Sequence, residues 1–157
     1  MGGQEAFEVE HFKPKSKFPQ FDCVYTNLYY TCRGCNGHKW ETWPSEDQLA
    51  RGMRFADPCE EDPYVDHLIE TEDGGVKGTT PCGFYTTAHI RLHRDDLRRW
   101  RRQRAQALMD LPVFTALARS LEQLRSTTRD LEREELDARV RALNRYIEES
   151  KLRFGIG

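Results

Sequence analysis

The 157-residue sequence predicts an α+β fold, because strand-like and helix-like segments follow one another in a fixed order. Up to residue 93, short runs of β-branched and aromatic residues are separated by turn residues, a pattern typical of strands. After residue 93, apolar residues recur every three or four positions and indicate amphipathic helices. A hydrophobic content of 38% supports a modest core. We therefore divide the chain into residues 1–52, 53–93 and 94–157.

The first segment predicts a strand, a loop, a second strand and a helix. Residues Phe7 to Val9 alternate in polarity, and Pro14 limits how far that strand continues. Residues 23–32, CVYTNLYYTC, are rich in β-branched and aromatic side chains and predict a strand that pairs with the first. Helical character starts near Arg33 and runs toward Trp40. Ser45 then has the position of a helix cap.

The second segment predicts a small β elaboration. The runs MRFA, HLIE and TTAHIRL are short and apolar, and EDGG between the last two is a hairpin signal.

The third segment predicts three amphipathic helices with opposite charges along their outer surfaces. A proline, Pro112, separates the first apolar stripe from the second. The stripes consist of Leu97, Trp100, Leu108 and Leu111, then Val113, Leu117, Leu121 and Leu124, then Leu136, Val140, Leu143 and Ile147.

Composition narrows the classes of function. A charged fraction of 32% with a net charge of −2 gives no global attraction to nucleic acid, so a polyanion site has to come from local patches. No run approaches the ~20 apolar residues of a membrane span, and the first residues lack the order of a secretory signal. We expect a soluble cytoplasmic protein. Five cysteines that include a C-x-x-C indicate metal binding in a reducing compartment, with ordinary buried thiols as the alternative.

Four polar residues near the start have the chemistry of a hydrolytic site. His11, near a strand end, can act as a general base. Glu10 and Asn36 supply the carboxylate and carboxamide oxygens that hold a divalent ion. Adjacent strand residues point to opposite faces, so Glu10 and His11 share a site only if the strand ends or twists there. The alternative is structural: His11 caps a strand and Asn27 fixes a turn.

The order VEH followed by NLYYTCRGCNGHK, within residues 7–40, resembles the HNH endonucleases with a ββα-metal core. The resemblance implies that His11 is the general base, Asn27 holds the loop, Asn36 is the final motif residue and Glu10 is the acidic metal ligand. It also implies Mg²⁺ or another divalent ion and hydrolysis of phosphodiester bonds in DNA, or in RNA such as tRNA. His38 competes for the last motif position, but Asn36 directly follows the second cysteine and fits better.

Basic residues flank these positions and are expected to bind the substrate. They are Lys13, Lys15, Lys17, His38 and Lys39. A further group on the third segment could form a basic ridge for phosphates or a solvated charged face. Its members are Arg94, Arg98, Arg101 and Arg102.

Many HNH relatives carry another C-x-x-C upstream of the histidine, which completes a four-cysteine zinc site. This sequence lacks that pair, so the start is truncated, zinc is absent or other ligands substitute. Structural Zn²⁺ at Cys32, Cys35, Cys59 and Cys82 is one expectation. Cys23 is expected to be a small buried residue, and His67 is expected to pack beside Leu68.

A longer resemblance covers residues 5–104. The segments CNGHKWETWP, FADPCEEDPYVDHL, GGVKG and IRLHRDDLRRWRRQR are similar to the HNH subunits of Septu-type and retron-associated anti-phage systems. That similarity implies an antiviral defence nuclease that acts with an SMC-like or ABC-type ATPase, with the C-terminal helices as a docking surface. Packing of those helices within the chain is the alternative. A different class of function, a zinc-stabilised nucleic-acid-binding or adaptor module without catalysis, also fits the motif.

Overall fold

The computed structural model of the chain describes residues 7–128 and 130–156. The elements are the strands and helices β1 (Phe7–His11), β2 (Leu28–Cys32), α1 (Arg33–Lys39), α2 (Glu46–Ala50), α3 (Pro63–Asp66), β3 (Leu68–Glu70), β4 (Val76–Gly78), α4 (Pro81–Ile90), α5 (Asp95–Thr127) and α6 (Asp130–Phe154). Two single turns of 3-10 helix, Pro19–Phe21 and Tyr25–Asn27, lie between β1 and β2. The predicted α+β class is confirmed.

The chain forms two compact units that meet between Arg99 and Trp100. The described residues of the first two predicted segments, 7–52 and 53–93, lie in the first unit. In the described part of the chain, no helix combines the length and the apolar character that a membrane crossing requires.

The N-terminal unit begins with the predicted strand, loop, strand and helix. β1 and β2 are antiparallel, with Phe7 opposite Cys32 and His11 opposite Leu28. Cys32 caps α1, since its Sγ accepts a hydrogen bond from the Cys35 N–H at 3.4 Å. The helix predicted between Arg33 and Trp40 is therefore confirmed.

A row of aromatic rings connects the β1–β2 sheet to α4. The ring centroids of Phe12 and Tyr29 are 5.2 Å apart, and Phe12 contacts Trp43 at 5.7 Å. Trp43 lies 6.4 Å from Phe55, which contacts Tyr85 of α4 at 5.0 Å. Edge and tilted contacts of this kind stabilise a core beyond simple burial. One face of the β1–β2 sheet thus packs on the rest of the unit.

The middle of the chain contains one strand pair where more strands were expected. β3 and β4 pair antiparallel around the predicted EDGG turn, so that hairpin is confirmed. The run TTAHIRL was predicted as a strand, but most of it lies in α4. The physical reason is a helix start: the Thr80 side chain accepts from the Gly83 N–H, and Pro81 occupies the first turn. The run MRFA has no regular structure, although Phe55 is almost fully buried.

The C-terminal unit contains α5 from Trp100 onward together with α6, so the prediction of three helices is wrong. α5 continues through Pro112. A proline removes one backbone hydrogen bond, and apolar residues on both sides of it compensate by packing on α6. Leu111, Ala118 and Ile147 form that buried cluster.

Candidate active site

Two glutamates on one face of β1 contact α1. Asn36 donates from Nδ2 to Glu8 Oε2 at 3.1 Å. The Lys39 Nζ lies 2.6 Å from Glu10 Oε1 and also donates to the His11 carbonyl oxygen at 2.9 Å. Glu10 and Asn36, which were predicted to share a site, therefore both lie where the sheet meets α1. Glu8 was not predicted, although the i, i+2 spacing of Glu8 and Glu10 indicates a common face.

Lys39 is almost completely buried, with 2% of its side chain exposed. Its ammonium pairs with Glu10 and lies 5.4 Å from the Phe55 ring centroid. A phosphate approaching from solvent cannot reach an ammonium in that position. The structure therefore argues against the substrate contact expected for Lys39 and gives it a supporting role beneath Glu10.

His11 ends β1 and is oriented by Asp22. Its Nε2 lies 2.9 Å from the Asp22 carbonyl oxygen and 3.0 Å from the Asp22 carboxylate. Oxygens of these two kinds only accept hydrogen bonds, so Nε2 carries the proton and Nδ1 carries the lone pair of the neutral ring. Sequence inspection missed Asp22, because it lies in an irregular loop eleven residues away.

Asn27 is buried and fastens the loop between the two strands. Its Oδ1 accepts from the Lys13 N–H at 2.8 Å. Its Nδ2 donates to the carbonyl oxygens of Lys13 and Phe21, both at 3.1 Å. Phe21 precedes Asp22, so Asn27 fixes the segment that orients His11. These contacts match the loop-holding role that the resemblance implies, while a part in catalysis stays a prediction.

Four further residues were expected to bind the substrate, namely Lys13, Lys15, Lys17 and His38. Lys15 and Lys17 are exposed, and the Lys13 Nζ lies 4.6 Å from the Phe21 ring centroid. His38 is half-buried in the last turn of α1. A substrate contact for these four residues stays a prediction.

The predicted divalent ion fits the donors that Glu10 and Asn36 provide. The Lys39 pair uses Glu10 Oε1, and the hydrogen bond to Glu8 uses Asn36 Nδ2. The other oxygen of each side chain, Glu10 Oε2 and Asn36 Oδ1, has the hard character that Mg²⁺ prefers. The carboxylate of Glu8 adds negative charge beside Asn36.

The expected four-cysteine zinc site is not formed. A guanidinium group, that of Arg94, lies against the C-x-x-C pair: Nη1 is 3.6 Å from Cys35 Sγ, and Nη2 is 3.8 Å from Cys32 Sγ. Burial, together with a side-chain hydrogen bond between Cys35 and Cys32, raises the pKa of the Cys35 thiol to about 11, against the lowering effect of Arg94. Within residues 7–128 and 130–156, the thiols of Cys59 and Cys82 do not join this pair in one ligand cluster.

Cys82 instead lies in a different group of metal-ligand types. Its Sγ, a ring nitrogen of His67 and a carboxylate oxygen of Glu61 lie within 4.8 Å of one another. His67 Nε2 is 2.9 Å from Glu61 Oε2, and His67 Nδ1 is 2.8 Å from Thr80 Oγ1. These ligand types suit Zn²⁺. His67, which was expected to pack beside Leu68 rather than to bind metal, thus lies in a group of metal-ligand types.

A guanidinium also contacts this second group. Arg54 Nη1 and Nη2 donate to the two oxygens of Glu61 at 2.6 and 2.7 Å. That pair, acting against burial, lowers the pKa of Glu61 to about 2. A metal ion at Glu61 would therefore have to displace Arg54. Cys23 was expected to be buried, but it is exposed.

The basic ridge expected on the third segment is largely engaged in other contacts. Arg94 contacts the thiols and pairs with Asp96 at 2.9 Å, and Arg98 pairs with Asp73. Arg101 is buried, at 8% exposure. Three of the four arginines predicted to form the ridge are therefore paired or buried within the protein.

No family model, no curated protein and no solved structure matches this chain. The function is therefore inferred from the motif and from the geometry around His11.

Proposed function

We propose that the protein is a divalent-metal-dependent endonuclease that hydrolyses phosphodiester bonds in nucleic acid, with His11 as its general base. The observation that carries this proposal is the orientation of His11 at the end of β1. Asp22 fixes the ring so that the lone pair of the neutral imidazole is on Nδ1, and His11 directly follows Glu10 at the end of β1.

His11 takes a proton from the attacking water on Nδ1. The Asp22 carboxylate, 3.0 Å from Nε2, then stabilises the imidazolium that forms. Asn27 holds Asp22 in position beside His11, because its Nδ2 donates to the carbonyl oxygen of Phe21, the residue before Asp22. The protein supplies no nucleophile of its own, and water fills that role.

Glu10 and Asn36 would hold the divalent ion. When bound, such an ion polarises the phosphodiester and stabilises the leaving oxygen. Lys39 fixes the Glu10 side chain through Oε1, and Oε2 is the oxygen that would hold the ion. Asn36 is held in the same way through its bond to Glu8.

A cleavage assay tests the proposal. Plasmid, single-stranded DNA and tRNA are incubated with wild type, His11→Ala and His93→Ala, with Mg²⁺ or Mn²⁺ and with EDTA. Loss of a general base lowers a rate by roughly 10²- to 10⁴-fold. We expect that loss for His11→Ala, while the exposed His93 serves as the matched control and its variant cuts normally. Cleavage by purified His11→Ala at the wild-type rate would refute the assignment.

A second candidate is a nucleic-acid-binding module without catalysis. The Lys39–Glu10 pair favours it, because a buried ammonium already neutralises the carboxylate that the ion would need. This candidate predicts binding of nucleic acid with no turnover in either metal. Cleavage that depends on His11 excludes it.

The proposal also includes a role in anti-phage defence, with an ATPase as the protein partner. Its support is the sequence resemblance together with the large apolar side chains that α5 exposes, among them Met109 and Val113, each 64% exposed. We propose that these helices dock on an SMC-like or ABC-type ATPase in an anti-phage system. Co-expression with such an ATPase should yield a complex that Val113→Glu disrupts and that the exposed polar change Gln123→Glu leaves intact. A complex that tolerates Val113→Glu would contradict the docking role.

A further inference from the structure

The face of the β1–β2 sheet that points away from α1 carries three large exposed side chains. We call Phe7, Val9 and Tyr30 the outer face; they are 56%, 62% and 76% exposed. Val9 is directly opposite Tyr30, so the two share a side of the sheet. The rings of Phe7 and Tyr30 are stacked, with centroids 4.8 Å apart and planes 10° from parallel.

The other face of the same sheet packs against the rest of the unit. Tyr29 alternates with Tyr30, and it packs on Phe12 and donates to the Asp57 carboxylate at 2.7 Å. The sheet therefore has one face for its own core and one that presents apolar rings to solvent. Contiguous exposed apolar groups of this kind mark binding surfaces.

The outer face lies on the same side of β1 as the proposed base. Phe7, Val9 and His11 alternate with the two glutamates and so point to one side of the strand. Phe7 and His11 are four residues apart, which is roughly 13 Å along a strand. At the ~3.4 Å rise of stacked nucleotides, that length corresponds to about four base steps. A strand cut at His11 would thus pass over the rings a few nucleotides away.

Cations lie at both ends of this path. Lys15 and Lys17 are exposed in the loop that follows His11. Arg33, which follows β2 beyond Phe7, has 78% of its side chain exposed and lies 3.6 Å from Glu8. A polyanion crossing the outer face therefore meets the two exposed lysines beyond His11 and, beyond Phe7, an exposed arginine that could exchange its Glu8 partner for a phosphate.

Building on the proposed nuclease function, we propose that the outer face is a stacking platform for unpaired bases of the substrate strand. Every base has a flat π face that stacks on an aromatic side chain, and a duplex hides those faces. Three side chains are a small patch beside the ~800 Å² that each partner buries in a stable protein interface. The surface therefore fits one or two nucleotides better than a second protein.

Binding measured without divalent ion tests the platform separately from catalysis. Fluorescence anisotropy in EDTA compares labelled oligo-dT, oligo-U, a matched duplex and an oligo-dT that contains abasic positions. The proteins are wild type, Tyr30→Ala, Tyr30→Phe and Tyr64→Ala. Tyr64 is the matched control because it is 52% exposed on α3. Oligo-dT and oligo-U distinguish DNA from RNA as the source of the unpaired base.

We expect Tyr30→Ala to bind at least one single strand roughly 5- to 150-fold more weakly, which is the range for loss of one stacked base. Tyr30→Phe should retain binding because the ring remains, and Tyr64→Ala should bind like wild type. The abasic oligonucleotide should bind wild type as weakly as the intact one binds Tyr30→Ala. The duplex should show no difference between the proteins.

Three results would overturn the platform. They are the absence of single-strand binding by wild type, equal binding by Tyr30→Ala, and self-association that Tyr30→Ala abolishes while nucleic-acid binding stays intact. The last result would assign the outer face to a second copy of the chain. Tyr30-dependent binding without cleavage would keep the platform and refute the nuclease. Cleavage by wild type, together with unchanged nucleic-acid binding by Tyr30→Ala, would keep the nuclease and refute the platform.

Discussion

Lys39 and Glu10 form an ion pair of 2.6 Å under the β1–β2 sheet, with 2% and 12% of their side chains exposed. The same ammonium donates to the His11 carbonyl oxygen at 2.9 Å. One lysine of α1 therefore fixes both the proposed metal ligand and the backbone of the proposed base. Substitutions in this pair should therefore affect both the stability of the fold and the proposed activity.

Lys39→Met should destabilise the protein by roughly 3–5 kcal/mol, because it leaves the Glu10 carboxylate buried without a partner. Urea unfolding of Lys39→Met and of Lys77→Met gives the comparison, since Lys77 is exposed on β4. Adding Glu10→Gln to Lys39→Met should recover part of the loss. A cost no larger than that of Lys77→Met would show that the buried pair contributes little.

Divalent ions should rescue the same variant. If Glu10 binds Mg²⁺, an added ion replaces the missing ammonium charge, and Mg²⁺ should raise the Tm of Lys39→Met more than that of wild type. The double variant Glu10→Gln with Lys39→Met lacks the ligand and is the control. Equal Tm shifts in the three proteins would contradict metal binding at Glu10.

Asn27→Asp should cost more stability than Asn27→Ala. Alanine loses three hydrogen bonds, each contributing about 0.5–1.5 kcal/mol. Aspartate also places a carboxylate oxygen against the carbonyl oxygens of Lys13 and Phe21, which repel it. Thermal unfolding measures the two variants, with the exposed Asn144→Ala on α6 as the control. The opposite ranking of the two Asn27 variants would contradict this geometry.

Local signals explain why the first unit was partly predictable. The strand, loop, strand and helix of residues 7–39 each carry their own signal, such as the aromatic run of β2. α4 was misassigned because β-branched residues in TTAHIRL outweighed a helix start at Thr80 and Pro81 that the sequence also contains. Cap chemistry was the stronger signal there.

Long-range contacts account for the rest of the site. Arg94 is separated from Cys35 by 59 positions and from Cys32 by 62, and no periodicity links them. The sequence shows two thiols at metal-ligand spacing but cannot show which cation approaches them. Glu61 and Cys82 meet for the same reason, through folding of α3 and α4 around the β3–β4 pair.

Gly37→Ala should raise the stability of the protein, whereas Gly34→Ala should not. A methyl group at Gly37 meets nothing within 4 Å, so alanine should stabilise α1 by up to about 1 kcal/mol. A methyl group at Gly34 lies 3.0 Å from Arg94 Nη2 and would push the guanidinium from the thiols. Gly34→Ala should therefore gain nothing or lose stability, and Cys35 should react more slowly with a thiol reagent, because Arg94 lowers the pKa of the Cys35 thiol and the thiolate is the reactive form. Equal stabilisation by the two alanines would contradict the Arg94 contact.

Pro112→Ala should stabilise the C-terminal unit. α5 is continuous through Pro112, so alanine restores a backbone hydrogen bond and removes a steric clash that together cost about 3 kcal/mol in a helix interior. Val113→Ala is the control for the exposed face beside it. If two helices met at Pro112 instead, alanine there would change the Tm no more than the control does.

Glu61→Gln should lower stability at neutral pH and lose that effect in acid. The Arg54 pair lowers the pKa of Glu61 to about 2, below the model-peptide range of about 4.3. Folding therefore favours the ionised form, and its contribution is complete above about pH 5 and is lost as the pH falls toward 2. We expect a difference of about 2 kcal/mol at neutral pH, reduced because Arg54 is partly exposed. Urea unfolding of wild type, Glu61→Gln and Glu60→Gln across this range measures it. A pH-independent difference, or one equal to that of the exposed Glu60, would show that the Arg54 pair does not stabilise the fold.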